Sequence, residues 1–410
     1  MNSSFKRIKV KRFVEGAGFL LLFLVSFFCN GQSHTLKTDD DISMGAERLP
    51  KYVSKLAGKR IAVVANHTAV VDGEHLVDYL LQSGLNVTTV FSPEHGFRGT
   101  ADAGETVKSN TDSKTGLPII SLYGSKKKPS NADLKDVDIV IFDIQDVGVR
   151  FYTYISTLHY LMEACAENDK KFWVLDRPNP NGFYVDGPVL ESDQKSFVGI
   201  HPIPVVHGCT VGELAKMING EGWLEDELVC DLTVIEMENY SHSDLYQLPI
   251  HPSPNLRTMN AIYFYPSLAL FEGTVMSVGR GTDFPFEAFG HPDLKVGDFY
   301  FTPGPSHGAK NPKLNGEKCR GFDLRKLDPR FMMDTQRLYL NWLKIAFENY
   351  PDKDNFFLDN NFFNLLAGNS SLMEAIKNNE SIEAIRKSWQ PQLDEYREMR
   401  KEYILYPDFE

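Results

Sequence analysis

The sequence predicts an α/β fold: a Rossmann-like, mostly parallel sheet with helices on both faces, followed by a C-terminal α+β auxiliary domain. In the first half of the chain, apolar β-branched runs alternate with segments whose apolar residues recur at helical spacing. This alternation is the pattern of a parallel sheet with crossover helices. Beyond about residue 240 the alternation stops, and Pro, Gly and aromatic residues become dense before a helical C-terminus from about residue 337. We therefore predict a linker at 32–56, a Rossmann-like catalytic domain at 57–240 and an auxiliary domain at 241–410.

The predicted strands of the sheet are short apolar runs that end in polar residues. They lie at 60–66, 87–91, 118–122, 138–142, 171–175 and, as the last strand, 232–237. The helices between them are expected at 72–83, where Gly84 would end the helix, at 153–168 and at 211–219. Thr210 and Glu213 form the sequence pattern of a capping box at the start of the last of these helices.

The first 31 residues have the composition of a secretory signal peptide. Five Lys or Arg residues occur before position 13, and an apolar run follows at 19–28. A run of this length after a basic start is typical of a cleaved signal, and it is too short for a permanent membrane span. Cys29 closes the run, so lipidation at Cys29 and cleavage after Gly31 both stay open. We expect a periplasmic protein, or one anchored to the envelope through a lipid, with no transmembrane helix in the mature chain.

Composition and missing motifs exclude several functions. The chain of 410 residues has 43 Lys and Arg against 55 Asp and Glu, a formal net charge of -12, which argues against a nucleic-acid partner. It has no GxGxxG after the first strand and no GxxxxGK[ST], HExxH or CxxC motif, and Ser92 at the end of the second predicted strand precedes Pro93 and is not set between the glycines of a nucleophile elbow. Nucleotide binding, a serine hydrolase and the standard metal sites are therefore disfavoured. We predict no cofactor and no catalytic metal.

Polar clusters follow four of the predicted strands. In an open parallel sheet the carboxyl ends of the strands meet at one edge, and ligands bind in the crevice outside that edge. The clusters lie at 66–68, 92–105, 143–154 and 176–182, and they are rich in carboxylates, Arg, Asn and aromatic residues. These residue types suit glycoside cleavage. One carboxylic acid protonates the leaving oxygen, while a second group attacks C1, activates water or positions a participating substrate group.

These clusters closely resemble the exo-β-N-acetylmuramidase family. The resemblance runs in order from about residue 58 to the C-terminus, and the one departure noted, Cys209 in HGCT, lies away from the expected catalytic residue. The resemblance implies an exo-acting glycoside hydrolase of cell-wall turnover, with the active site between a Rossmann-like domain and an auxiliary domain. Its substrates would be peptidoglycan-derived muropeptides or disaccharides, from which it releases terminal non-reducing N-acetylmuramic acid. The main matching segments are SPEHGFRG (92–99), DAGE (102–105), FDIQDVGVRFYTYISTL (142–158), LDRPNPNG (175–182), PSPNLRT (252–258) and FEGTVMSVGRGTDFPFE (271–287).

Glu94 is the expected catalytic acid/base, since it follows a strand and lies in the matching SPEHG segment. The identity of the second catalytic group stays open. Glu105 and Asp146 are candidates, as are Asp143 and Glu287. Participation of the substrate's own N-acetyl oxygen is the alternative to a second carboxylate.

Other polar residues of the matching segments are expected to bind the sugar. The lactyl group of muramic acid is an anion, so at least one Arg should meet it. Arg177 is expected instead in a buried pair with Asp102, Asp146 or Asp176. If the N-acetyl oxygen participates, Tyr152 or Tyr154 would orient it. The expected substrate-binding residues are Asn66, His67, His95, Arg98, Asp143, Gln145, Arg150, Tyr152, Tyr154, Asn179, Asn255, Arg280 and Glu287.

Three other functions stay open on the sequence alone. They are a different exo-β-hexosaminidase, a non-catalytic peptidoglycan-binding protein of the envelope, and a metal-dependent amidase acting on cell-wall peptides. The identity of the cleaved sugar distinguishes the different hexosaminidase. Absence of turnover would indicate the binding protein, and loss of activity with a chelator would indicate the amidase.

Overall fold

The computed structural model describes residues 36–38, 41–94, 96–97, 110–328 and 330–410. The predicted signal peptide with Cys29 lies outside these residues, and so do His95, Arg98 and Glu105. All described residues belong to one compact unit. The domain limits at 240 and 241 stay a prediction.

The strands of the described residues are short, and most of them belong to two sheets. They are β1 (Leu36–Lys37), β2 (Arg60–Ala65), β3 (Val70–Val71), β4 (Glu74–His75), β5 (Asn86–Ser92), β6 (Asn110–Thr111), β7 (Pro118–Ser121), β8 (Ile139–Asp143), β9 (Lys171–Leu175), β10 (Asp186–Val189), β11 (Pro204–Val206), β12 (Asp231–Ile235), β13 (Leu245–Tyr246), β14 (Ala288–His291), β15 (Phe299–Phe301) and β16 (Cys319–Asp323).

The α-helices divide between the crossovers of the main sheet and the C-terminal part. They are α1 (Leu49–Leu56), α2 (Leu76–Gln82), α3 (Asn131–Leu134), α4 (Tyr154–Glu167), α5 (Val211–Gly220), α6 (Met259–Leu268), α7 (Arg330–Thr335), α8 (Asn341–Asn349), α9 (Phe362–Ala367), α10 (Ser371–Lys377) and α11 (Ile382–Lys401). In the part of the chain that the structure describes, no helix combines the length and apolar character that a bilayer crossing requires.

The largest sheet of the described residues has seven strands in the order β12-β9-β8-β2-β5-β7-β6. Every neighbouring pair is parallel except β6 and β7, which are antiparallel. The chain enters the sheet at β2, extends outward through β5 and β7, and then returns to β8 on the other side of β2. The strand order therefore reverses at β2, and such a switch point places a crevice at the carboxyl edge of the sheet. The predicted mostly parallel sheet is confirmed.

Helices cover both faces of this sheet, as predicted. Alternate residues of a strand point to opposite faces, and β2 divides accordingly. Ile61 and Val63 pack in one apolar cluster with residues of α1 and α2. Ala62 and Val64 pack in the other cluster, with residues of α3, α4 and α5. The capping box of α5 is present, since the Thr210 side chain accepts from the backbone N–H of Glu213.

Two local predictions are wrong. The linker prediction for 32–56 fails because α1 lies within this range, with Leu49, Tyr52 and Leu56 buried against the sheet. These three apolar residues recur at helical spacing, which a polar average conceals. The helix predicted from residue 72 begins only at Leu76. Asp72 and Gly73 both have positive φ angles, of 50° and 78°, and form the tight turn of the β3–β4 hairpin.

The C-terminal part has the predicted α+β character. Its sheet is antiparallel, in the order β14-β16-β15, and helices surround it. The long helix α11 packs back on β10. There Arg386 pairs with the buried Asp186 through two bonds of 2.8 Å. One apolar cluster contains residues of both halves of the chain, so the two halves share a continuous core.

Candidate active site

A cleft of about 750 Å³ has Glu94 in its wall. Glu94 follows β5, and Thr153 of the same wall lies in the segment between β8 and α4. Both positions lie beyond the carboxyl ends of parallel strands, where ligands are expected to bind. The opposite wall comes from the C-terminal part, with Tyr265, Glu272, Arg280 and residues 308–313. The cleft therefore lies between the two halves of the chain.

A tight turn presents Glu94 to the cleft. The backbone N–H of Gly96 donates to the carbonyl oxygen of Pro93 at 3.1 Å. Gly96 has a φ angle of 79°, a conformation that favours glycine. Glu94 lies inside this turn and is half-buried. The local sequence Pro93-Glu94-His95-Gly96 thus places a carboxylate at the end of β5.

Thr153 holds the carboxylate of Glu94. Its hydroxyl donates to Oε2 of Glu94 at 2.8 Å. Thr153 directly precedes α4, and its side chain makes no capping bond with that helix. The first turn of a helix carries unpaired N–H groups and a positive partial charge, and both stabilise a nearby anion.

Arg280 and Glu272 form a charge pair in the same cleft. Nε and Nη2 of Arg280 donate to the two carboxylate oxygens of Glu272 at 2.6 and 3.1 Å, and the guanidinium lies 4.9 Å from the ring centre of Phe286. Burial works against the charge of Arg280, but the carboxylates of Glu272 and Glu94 outweigh it and raise the pKa of Arg280. Glu94 is thus close enough to interact electrostatically with this pair.

A cationic loop completes the charged part of the cleft. Lys313 donates to the backbone carbonyls of Phe271, Glu272 and Thr274, and burial lowers its pKa to about 8. Lys310 lines the cleft as well. Among the described lining residues, two carboxylates therefore face three cations. Such an excess favours an anionic substituent on the ligand.

A smaller cavity of about 60 Å³ shares five wall residues with the cleft, including Glu94 and Arg280. Tyr152, Ser253, Asn255, Leu256 and Phe286 complete its wall. The structure therefore brings together four of the sequence-predicted residues at the two cavities. These are Glu94, Tyr152, Asn255 and Arg280.

Asn66, His67 and Tyr154 lie behind these cavities and support the segment 251–255. Nδ2 of Asn66 donates to the hydroxyl of Tyr154 at 2.9 Å, and Nε2 of His67 lies 2.7 Å from the carbonyl oxygen of His251. Tyr152 and Tyr154 both donate to the carbonyl oxygen of Pro252, at 2.9 and 3.4 Å. These contacts position the segment that carries Asn255.

Asp146 is buried and is not among the residues that line the two cavities. Its Oδ2 accepts the N–H of Gly148 at 2.7 Å, and burial raises its pKa to about 7. Its charge also influences Tyr152, Tyr154 and Tyr265. The geometry gives Asp146, one of the candidates for the second catalytic group, the role of a turn-forming group near the site.

The structure also corrects the substrate-binding role expected for Arg150. Its guanidinium is completely buried, and no carboxylate of the described residues pairs with it. It donates to four backbone carbonyl oxygens, those of Pro188, Ile203, Leu366 and Ala367. Because Leu366 and Ala367 belong to α9, Arg150 joins the two halves of the chain.

Three more of the expected binding residues are used by the fold. Asp143 accepts two bonds from Arg177, at 2.5 and 2.9 Å, so Arg177 has a carboxylate partner other than those expected. Gln145 donates to the carbonyl oxygens of Asp146 and Pro178. Asn179 donates to that of Cys209. Buried backbone carbonyl oxygens require hydrogen-bond donors. Polar side chains that follow a strand can supply these donors in place of binding a ligand.

Glu287 is likewise directed away from the cleft. It lies beside the antiparallel sheet, where burial raises its pKa and a hydrogen bond to Thr258 opposes this effect. Sequence reasoning overlooked Thr153, Tyr265, Glu272, Lys310 and Lys313 as site residues. Glu272 lies within the matched segment 271–287, eight residues before Arg280. Two opposite charges in one matched segment could have indicated that Glu272 pairs with Arg280.

The chain is similar to known proteins over most of its length. Residues 61–260 match the family model for the N-terminal part of the exo-beta-N-acetylmuramidase NamZ, and residues 263–406 match the model for its C-terminal part. The chain is 42% identical over 376 residues to the peptidoglycan beta-N-acetylmuramidase NamZ of Bacillus subtilis (strain 168), covering 87% of this chain and 89% of that protein.

Two crystal structures of DUF1343 family proteins from Bacteroides fragilis NCTC 9343 are similar to this chain. The first has a TM-score of 0.84 and 47% identity, and covers 90% of this chain and 99% of its own. The second has a TM-score of 0.77 and 31% identity, and covers 89% and 99%.

Proposed function

This chain belongs to the exo-β-N-acetylmuramidase family, and from that premise we propose that it is a glycoside hydrolase that releases terminal non-reducing N-acetylmuramic acid from peptidoglycan fragments. The observation that carries this proposal is Glu94, presented by a tight turn in the wall of a cleft that also holds cations. A carboxylic acid can protonate the leaving oxygen of a glycosidic bond. Cationic groups in the same cleft can bind an anionic substituent of the sugar.

Glu94 is the proposed general acid. It is half-buried and lies in the wall of a cleft large enough for a sugar and part of its leaving group, within the usual range of ligand sites. Thr153 donates to one carboxylate oxygen of Glu94, and Glu94 is proposed to give its proton to the glycosidic oxygen of the substrate. Proton transfer to that oxygen allows the C1–O bond to break with the leaving sugar departing as an alcohol.

Arg280 is the proposed partner of the lactyl carboxylate. Its planar guanidinium suits a carboxylate, and Lys310 and Lys313 add positive charge in the same cleft. Both oxygens of Glu272 are engaged by Arg280. We therefore assign Glu272 to orienting Arg280 rather than to attack on C1.

The test is hydrolysis of a chromogenic N-acetylmuraminide by the wild type and by Glu94→Gln, which keeps the shape of the side chain and removes the acid. We expect kcat to fall by about 10²–10⁴-fold, the usual contribution of acid–base catalysis. Glu395→Gln is the matched control, because Glu395 is an exposed carboxylate on α11 and should leave kcat unchanged. A fall of only a few-fold for Glu94→Gln would contradict the role of Glu94.

Other substrates separate this proposal from the alternatives. Preferential cleavage of the N-acetylglucosaminide would indicate a different exo-β-hexosaminidase. Binding to peptidoglycan without turnover of either sugar would indicate an envelope-binding protein. Loss of activity with a chelator, and release of peptide in place of sugar, would indicate a metal-dependent amidase.

We also propose that residues 1–31 direct export, and that the mature protein acts in the periplasm or is anchored through Cys29. The basic start and the short apolar run support this proposal. Fractionation of producing cells should place the protein in the periplasm or the envelope, and labelling with a radioactive fatty acid that depends on Cys29 would identify the anchor. A full-length protein in the cytoplasm would contradict the proposal.

A further inference from the structure

Asn255 presents a buried acceptor without a partner. The residue is 2% exposed, and its Nδ2 donates to the carbonyl oxygen of Gly308 at 2.7 Å. Because a carbonyl can only accept, this bond fixes the orientation of the amide. Oδ1 is therefore the remaining polar atom of the side chain, and none of the described residues donates to it. A buried acceptor left in this way is costly unless a ligand supplies the donor.

Asn255 lines the 60 Å³ cavity that borders Glu94. One buried water needs about 10–15 Å³ of such a cavity, so the space suits a group of about four to six non-hydrogen atoms. Four of the nine other wall residues are aromatic. Tyr265 contacts Phe151, Tyr152 and Phe286 edge to face, with ring centres 4.9 to 5.9 Å apart. The cavity thus combines the unpartnered acceptor of Asn255 with aromatic ring surfaces.

We propose that this cavity receives the 2-acetamido group of the sugar that is cleaved, with Oδ1 of Asn255 accepting its N–H and the aromatic rings enclosing its methyl group. The proposal rests on the proposed function and assigns a residue to its substrate specificity. An acetamido group consists of one nitrogen, two carbons and one oxygen beyond the ring, which matches the volume. It also offers the one N–H donor that Oδ1 lacks.

The position of the cavity agrees with this assignment. Glu94 and Arg280 line both the cavity and the larger cleft. On a muramic acid ring, the acetamido group at C2 lies between the glycosidic bond at C1 and the lactyl group at C3. A sugar with its acetamido group in the cavity would therefore place C1 towards one of these two residues and the lactyl carboxylate towards the other. The bonds from Tyr152 and Tyr154 to Pro252 hold the segment that carries Asn255.

The first test needs no substitution. The wild-type protein is assayed for inhibition by free N-acetylmuramic acid and by its 2-deoxy analogue, which has no hydrogen-bond donor at C2. We expect N-acetylmuramic acid to inhibit at least about 10-fold more strongly, because one unmade buried hydrogen bond costs about 5- to 150-fold in affinity. Equal inhibition by the two sugars would overturn the proposal.

The second test compares Asn255→Ala with Ser253→Ala on the N-acetylmuraminide and on its 2-deoxy analogue. Asn255→Ala should lose about 10- to 100-fold in kcat/KM on the acetamido substrate and much less on the analogue. Ser253→Ala removes the acceptor for the backbone N–H of Asn255 and perturbs the same segment without removing Oδ1. It should preserve the selectivity of the wild type.

The two proposals fail in different ways. A wild-type protein that cleaves no muraminide refutes the proposed function. A wild-type protein that cleaves the N-acetylmuraminide, together with an Asn255→Ala variant of unchanged selectivity, refutes the acetamido site alone. The inhibition assay on the wild type decides the matter if Asn255→Ala does not fold.

Discussion

Replacing Asp146 by Asn is expected to change how the stability of this protein depends on pH. Burial raises the pKa of Asp146 from its ordinary value of 3.8 to about 7. Between these two pH values the folded protein holds a proton that the unfolded chain releases. The stability from this proton is fully present below pH 3.8, and it is lost as the pH rises through about 7.

The size of the effect follows from the same two values. Each unit of difference in pKa corresponds to about 1.4 kcal/mol, so the full effect on the free energy of unfolding is at most ~4 kcal/mol. Between pH 5 and pH 8 the wild type should lose ~2–3 kcal/mol relative to Asp146→Asn. The variant has no proton to lose, and its side-chain oxygen still accepts the N–H of Gly148.

The assay is urea-induced unfolding at pH 5 and pH 8, followed by tryptophan fluorescence. Asp359→Asn, at an exposed position, is the control and should behave as the wild type does. Parallel pH profiles for wild type and Asp146→Asn would refute the reasoning, because they would mean that Asp146 carries no proton in the folded state. Hydrolysis at pH 5 gives a second readout. Since Asp146 lines neither cavity, kcat/KM should stay within a few-fold of the wild type.

Three further predictions concern the contacts of the cleft and the core. Arg150→Met should lower the free energy of unfolding by at least ~4 kcal/mol, because four buried carbonyls lose their donor; an unchanged urea midpoint would contradict this. Arg280→Gln should lower kcat/KM about 10- to 100-fold on the N-acetylmuraminide and much less on the N-acetylglucosaminide, whereas equal losses would exclude a contact with the lactyl group. Thr153→Val should lower kcat about 10-fold through loss of the bond to Glu94. It should leave the melting temperature unchanged, since the hydroxyl caps no helix, and a large fall in melting temperature would oppose this assignment.

Elements with a strong local pattern could be predicted from the sequence. The strands β2, β8 and β9 contain continuous apolar runs, β5 is rich in β-branched residues, and α4 carries a long apolar face. Burial on both faces of a parallel sheet requires such runs whatever the rest of the chain does. The prediction failed for short elements, because their local pattern is weak. The hairpin at Asp72–Gly73 has two residues per strand, and α1 buries only three apolar residues in an otherwise mostly polar segment.

Glu94 could also be singled out before the structure, because its position depends on neighbouring residues. A strand end, Pro93 and Gly96 together determine a tight turn, and the turn determines that the side chain leaves the sheet at its carboxyl edge. The identical reasoning failed for Asp146, whose carboxylate instead accepts the N–H of Gly148 two residues later. Sequence alone does not distinguish a polar side chain that serves its own turn from one that faces a ligand.

The sequence by itself determined the sheet, its helices on both faces, the edge at which the cleft lies and the carboxylate at that edge, because each depends on local periodicity and turn formation. Only the tertiary structure decided which polar residues line the cleft. Arg150 reaches the carbonyl oxygen of Leu366, 216 residues away, while Asn255 meets Gly308 across 53 residues. Contacts over such separations depend on how the two halves pack. That packing turned an expected substrate-binding arginine into a structural group, and placed Arg280 and Asn255 beside Glu94.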